Sequence, residues 1–108
     1  MEESAFNALA EAELSRIESA LESCGVDIDI ELKPGGILEI EFDNGSKVII
    51  NRHTAAREIW VAAKSGGFHF RPEGGQWIAG RDGAELYAVI SRVVGEQAGE
   101  KVILSPAA

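Results

Sequence analysis

From Glu3 to Cys24 the apolar residues Phe6, Leu9, Ala10, Leu14, Ile17, Leu21 and Cys24 recur at steps of three and four, tracing the stripe of an amphipathic helix. Ser4 stands where it can cap the start, and Gly25 supplies a left-handed stop. The repeat then shortens to that of a strand. Over Asp27 to Leu32, the residues Ile28, Ile30 and Leu32 alternate with Asp27, Asp29 and Glu31, as a half-buried strand requires. A turn at Lys33-Pro34-Gly35-Gly36 leads into a second alternation, Leu38, Ile40 and Phe42 against Glu39 and Glu41. Asn44-Gly45 is a strong hairpin dipeptide and joins that segment to Lys47 through Asn51.

Ile59 to Ala62 reads as a further strand, although Ala62, Ala63 and Lys64 also suit a helix. Gly66-Gly67 breaks the pattern before Phe68-His69-Phe70, and Pro72 to Gly75 turns the chain into Gln76-Trp77-Ile78-Ala79. The helical period returns at Asp82, read as the cap, with Glu85 as its capping-box partner and Leu86, Val89, Ile90 and Val93 as the stripe. Gly99 ends this helix, and Val102 and Leu104 in the tail either pack on the core or add an edge strand. Helix, run of strands, helix is the order of an α+β sandwich, with two helices on one face of a largely antiparallel sheet of about six strands. The opposite face is left open to solvent or partners. A single domain spanning residues 1–108 is expected, the length at which one core is stable without disulfides or a structural metal.

Composition narrows the function classes. Hydrophobic residues at 45% and charged residues at 26% are globular values, which exclude a disordered or fibrous chain. No apolar run nears the ~20 residues of a membrane span, and a start on Glu2-Glu3 is unlike a signal or transit peptide, so a cytoplasmic location is expected. Cys24 is the only cysteine, which rules out an internal disulfide and a thiolate cluster within the chain and fits a reduced compartment. The formal net charge is -8, and all of it lies in Met1 to Glu31, where nine carboxylates face one base, Arg16; the nine acids and nine bases that follow cancel. Such a field repels nucleic acid and anionic membranes and attracts cations or a basic protein surface.

On a helix turning about 100° per residue, Glu11, Glu18 and Glu22 fall within roughly 40° of one another. If helix and first strand are neighbours at the molecule's edge, Asp27, Asp29 and Glu31 extend these into one acidic ridge. The residues alone leave two readings: a solvated helix face, or an open and weak site for hard cations such as Mg, Ca, Mn and iron. No nucleophile elbow, phosphate-binding glycine loop, HExxH or EF-hand loop is present, and His53 and His69 have no second His or Cys at ligand spacing. Trp60 alternates with Ile59 and Val61, so if those fill the core Trp60 stands on the open sheet face beside Ile49, Asn51 and His69, an anchor for a partner unless the tail or a loop covers it. Trp77 follows a tight turn and has no orientation from pattern alone.

The block Glu41-Phe42-Asp43-Asn44-Gly45-Ser46-Lys47-Val48-Ile49-Ile50-Asn51-Arg52, then Ile59-Trp60, Lys64-Ser65-Gly66-Gly67-Phe68-His69-Phe70 and Trp77-Ile78, resembles the frataxin family in its bacterial (CyaY) form, over nearly the whole chain from Ser4 to Val102. The resemblance implies an α-β-α sandwich without enzymatic activity, a donor, sensor or regulator in iron-sulfur cluster assembly. It implies weak binding of Fe2+ and Fe3+ by a ridge falling on Glu11, Glu18, Glu22, Asp27, Asp29 and Glu31. It places contacts with a cysteine desulfurase or an iron-sulfur scaffold protein on Asn51, Arg52 and Trp60, and it implies a monomer in the absence of metal. Ser19, Ser23 and Cys24 stand where similar proteins often carry further carboxylates, so the ridge is sparser here. An acidic adaptor that meets a basic partner, with metal incidental, is the alternative. Nothing here resembles the Glu and Glu-x-x-His arrangement of di-iron bundles that an iron oxidase would use.

Overall fold

The alternating segments fold into one antiparallel meander in the computed structural model, which describes residues 1–106. Helix α1 (Glu3–Glu22) precedes strands β1 (Ile28–Lys33), β2 (Ile37–Phe42), β3 (Lys47–His53), β4 (Glu58–Ala63), β5 (Gly66–Glu73) and β6 (Gln76–Ala79), and α2 (Leu86–Ala98) follows them. Each strand pairs with its predecessor, so the six-stranded sheet runs β1-β2-β3-β4-β5-β6 without a crossover. Register brings apolar residues opposite one another on the helix-facing side: Ile30 with Ile40, Leu38 with Ile50, Ile50 with Val61, Ile59 with Phe70 and Phe70 with Ala79. These join Phe6, Leu14, Ile17 and Leu21 of α1 and Leu86, Ile90, Val93 and Val94 of α2 in one core. This is the expected two-layer arrangement, with the second sheet face uncovered.

The helix ends differ from expectation. Ser4 is no cap: α1 starts after Glu2, which contributes no side-chain cap, and Phe6 N–H bonds to the Glu2 carbonyl at 2.9 Å. The helix stops at Glu22, two residues short of Cys24, and Gly25 takes its positive φ of 80° in the linker beyond. Leu9 lies about a quarter turn from the stripe's centre and is 37% exposed. Glu13 occupies the buried stripe instead. At α2 the cap is Glu85 rather than Asp82: the Glu85 carboxylate accepts from Tyr87 N–H at 2.8 Å and Ala88 N–H at 3.1 Å. Asp82 accepts only from Ala84 N–H. An antiparallel bridge between Ile78 and Glu85 holds Glu85 extended, so helix cannot begin before Leu86.

In the strands, Ala62 and Ala63 continue β4 rather than opening a helix, and the Gly66-Gly67 pair lies inside β5. Among the described residues the tail forms no strand; Val102 and Leu104 are buried, and Leu104 N–H donates to Ser91 Oγ at 2.8 Å. Gly95 permits this return, because a Cβ there would lie 2.9 Å from the Glu100 carbonyl oxygen.

A candidate cation and partner surface

The carboxylates named from sequence do not form one plane. Glu11, Glu18 and Glu22 share the flank of α1 next to the β1–β2 turn, where Glu11, Leu14 and Ser15 line a cleft with Leu32, Lys33, Gly35 and Gly36. Ile28 and Ile30 pack against the core, so alternation sends Asp29 and Glu31 to the opposite, uncovered side of the sheet. The ridge therefore wraps around the β1 edge, with Glu18 and Glu22 on one side and Asp29 and Glu31 on the other. Asp27 stands exposed just before the strand.

Glu11 has a partner. Arg52 donates to its carboxylate, and the Arg52 side chain is only 17% exposed against 62% for Glu11. The resemblance groups Arg52 with Asn51 and Trp60 as a partner contact, but its register with Ile59 puts it on the helix side, away from the other two. Gly36 makes room for it, since a Cβ there would come within 3.0 Å of the Arg52 side chain.

Two further carboxylates join the edge, Glu41 and Asp43, which with Asp27 and Asp29 line an open cleft of about 220 Å³. Glu41 is the direct cross-strand partner of Asp29. Alternation in β2 sends Glu41 to the uncovered face, opposite to Ile40 and Phe42, and the β1–β2 register sets it against Asp29. Glu39, opposite Glu31, is neutralised by Lys33 at 3.1 Å and Lys47 at 3.4 Å, and the Lys33 hydrogen bond foremost holds its carboxyl below the usual value. Among the described residues, no three His, Cys, Asp or Glu side chains converge as a metal site. The donor chemistry fits a hard cation; the spacing makes any such site open and weak.

On the uncovered face, Asn51, Trp60 and His69 are direct cross-strand neighbours on β3, β4 and β5. Trp60 is half-buried, and two imidazoles cover it. His53 stacks on one indole face at 3.9 Å between centroids and His69 on the other at 4.1 Å, with ring planes 12° and 7° from parallel. Glu58 accepts from Trp60 Nε1–H at 2.9 Å, and the same oxygen lies 3.9 Å from His69 Nδ1. Ala56 N–H donates to His53 Nδ1 at 3.3 Å, which fixes that ring as well. The indole thus offers a partner its edge while the histidines offer their outer faces. Alternation sets His69 beside Trp60, but the stacking of both imidazoles on the indole was not legible, because the three residues come from separate strands.

The sequence reading also missed Glu13. Its carboxylate lies between α1, α2 and β6, accepting from the Tyr87 hydroxyl, from Trp77 Nε1–H at 3.1 Å and from Arg16 at 3.1 Å. Burial pushes the Glu13 carboxyl up, but hydrogen bonds from Arg16, Tyr87 and Trp77 and the Arg16 charge outweigh it and hold the group below its ordinary value. Burial first, and then the bond to Glu13, push the Tyr87 phenol well above its own. This network orients Trp77 inward, where it meets Phe6 edge to face at 6.0 Å.

Comparison with known proteins fits this geometry. A family model described as a frataxin-like domain matches residues 1–100. The iron-sulfur cluster assembly protein CyaY of Dechloromonas aromatica is 57% identical over 104 residues, covering 96% of this chain and 99% of that protein. The structure of frataxin from Psychromonas ingrahamii superposes with a TM-score of 0.86 at 34% identity, covering 95% of this chain and 97% of that one. Trimeric frataxin from the yeast Saccharomyces cerevisiae, complexed with ferrous iron, shares the fold with a TM-score of 0.65 at 23% identity, over 93% of this chain and 88% of that one.

Proposed function

Because the chain belongs to the frataxin family, we propose that it is an iron-binding accessory protein of iron-sulfur cluster assembly that docks on the cysteine desulfurase and its scaffold protein. It is a non-enzymatic protein, as its family is. Iron is its cargo. The observation that carries the reading is a set of solvent-facing carboxylates with no task in the fold: the half-buried Glu18 and the exposed Glu22, Asp29 and Glu31 make no ion pair among the described residues. Glu11 is the exception, since it also neutralises Arg52. Open carboxylates of this kind exchange hard cations readily, as a carrier or sensor needs and a storage cage does not. Asn51 and the edge of Trp60 supply the second contact area.

Titration of the wild type and of Glu18→Lys/Glu22→Lys with ferrous iron, and with the desulfurase at low and high salt, tests this. Both affinities fall in the variant, and the loss for the desulfurase shrinks as salt rises, because exposed charges steer encounter. Unchanged affinity for both ligands would sink the ridge. That no three ligands converge among the described residues favours one second reading, an acidic adaptor; desulfurase binding lost with iron binding intact in the variant, or iron binding absent from the wild type, would establish it.

A further inference from the structure

The two edges of the sheet are treated differently. β6 is four residues long and its outer side is occupied, by the bridge from Ile78 to Glu85 and by Ala79 N–H bonding to the Ala84 carbonyl at 2.8 Å. β1 is six residues long, about 20 Å of extended chain. Its inner side pairs with β2 from Ile28–Phe42 to Lys33–Ile37. Its outer side has no hydrogen-bond partner among the described residues.

Beside this free edge runs the cleft between α1 and the β1–β2 turn, about 290 Å³, with Leu14 in its wall and Leu32, 44% exposed, on its floor. A strand added to β1 would direct alternate side chains into that cleft and the others toward Asp29 and Glu31. The charges decide what strand that is. A second copy of this chain would bring its own Asp29 and Glu31 to an edge already carrying both, and like charges on neighbouring strands oppose pairing. Charged edges commonly keep sheets from joining one another; here the same charges, with Glu18 and Glu22 above them, favour an extended chain bearing lysine or arginine.

We propose that the β1 edge accepts an extended basic segment of a partner protein as a seventh strand, with an apolar side chain seated against Leu32 and cationic ones on Asp29 and Glu31. This rests on the reading of the same carboxylates as the surface for a basic partner and adds to it a backbone-paired mode of docking.

The probe is a synthetic peptide alternating lysine and valine, with two versions N-methylated at alternate amides, one in each frame. Side chains and charge are the same in all three. Residue-resolved hydrogen exchange on the full chain is the readout. With the parent peptide, alternate amides within Ile28–Lys33 slow by about tenfold or more, one methylated version loses binding and the other keeps it. Asp29→Lys/Glu31→Lys, checked for folding by thermal melt, loses the protection. Absence of protection on β1 overturns the inference, as does equal binding by both methylated peptides, which would mean charge attraction alone; sedimentation showing a β1-dependent dimer of the protein by itself would overturn the choice of occupant. Loss of desulfurase binding in Glu18→Lys/Glu22→Lys with no protection of β1 by the peptide would leave the proposed function standing and remove this mode of docking.

Discussion

Glu13 shows what one residue in an apolar stripe can mean. It falls between Ala10, Leu14 and Ile17 on the buried side of α1, so the position was visible in the sequence; its partners Tyr87 and Trp77, more than sixty residues away, were not. Glu13→Ala strands those donors and the Arg16 guanidinium, and a loss of about 2–4 kcal/mol in urea unfolding is expected. Because the folded carboxyl is held below its ordinary value, its contribution is present above the unfolded carboxylate pKa and is lost as pH falls through the folded one. Glu13→Gln should therefore flatten the acid limb of the stability curve, measured from neutral pH downward. Trp60 is the contrasting residue: alternation with Ile59 and Val61 correctly placed it on the open face, while the stacking of His53 and His69 depends on strand order. Trp60→Ala should weaken scaffold or desulfurase binding and cost far less than the ~3–5 kcal/mol of a core tryptophan, which a titration paired with a melt will show.

Elements were legible where one signal dominated. The hairpin at Asn44-Gly45 and the alternation of β2 revealed the strands but not their register: a two-residue loop would set Asp43 opposite Ser46, whereas Glu41 pairs with Lys47 and Ile40 with Val48, one residue out of that frame. Gly66-Gly67 resembled a break and proved to be part of β5, where its partners on β4 are Ala62 and Ala63. Capping was misread at both helices, at α2 because the Ile78–Glu85 bridge is a tertiary restraint that no local pattern encodes. The tail behaves likewise. Gly95→Ala in a helix ordinarily gains about 1 kcal/mol, but here the new Cβ meets the Glu100 carbonyl, and a net loss of about 1–3 kcal/mol is expected. In a chain ending at Gly99 the same substitution should stabilise, although that chain lacks the buried Val102 and Leu104. Melts of the four combinations give the sign directly; a loss in both backgrounds would show that the tail is not the cause.

Across the molecule, charge and core are largely separated: apart from Glu13, the acidic excess lies outside the apolar stripe, and most of the ridge is free of structural duty. Reversing Glu18 and Glu22 removes four units of negative charge, counted from one negative to one positive at each. Relief of like-charge repulsion should leave stability unchanged or higher by tenths of a kcal/mol at low salt, fading as salt is added, in chemical unfolding at two ionic strengths. The same reversal at Glu11 should cost stability, since it leaves Arg52 unpaired. The charge asymmetry was readable from composition and the outward turn of Asp29 and Glu31 from alternation; that Arg52 spends itself on Glu11 required the tertiary structure. The positions of the two tryptophans have an optical consequence. Trp77 is enclosed and hydrogen-bonded to Glu13, while Trp60 lies half in solvent between two imidazoles. Their fluorescence should separate into a blue component that reports the packing of helices on sheet and a redder one that reports the uncovered face. A ligand seated on that face will alter the second alone, and unfolding will alter both, so the native chain carries its own two-colour assay without a label.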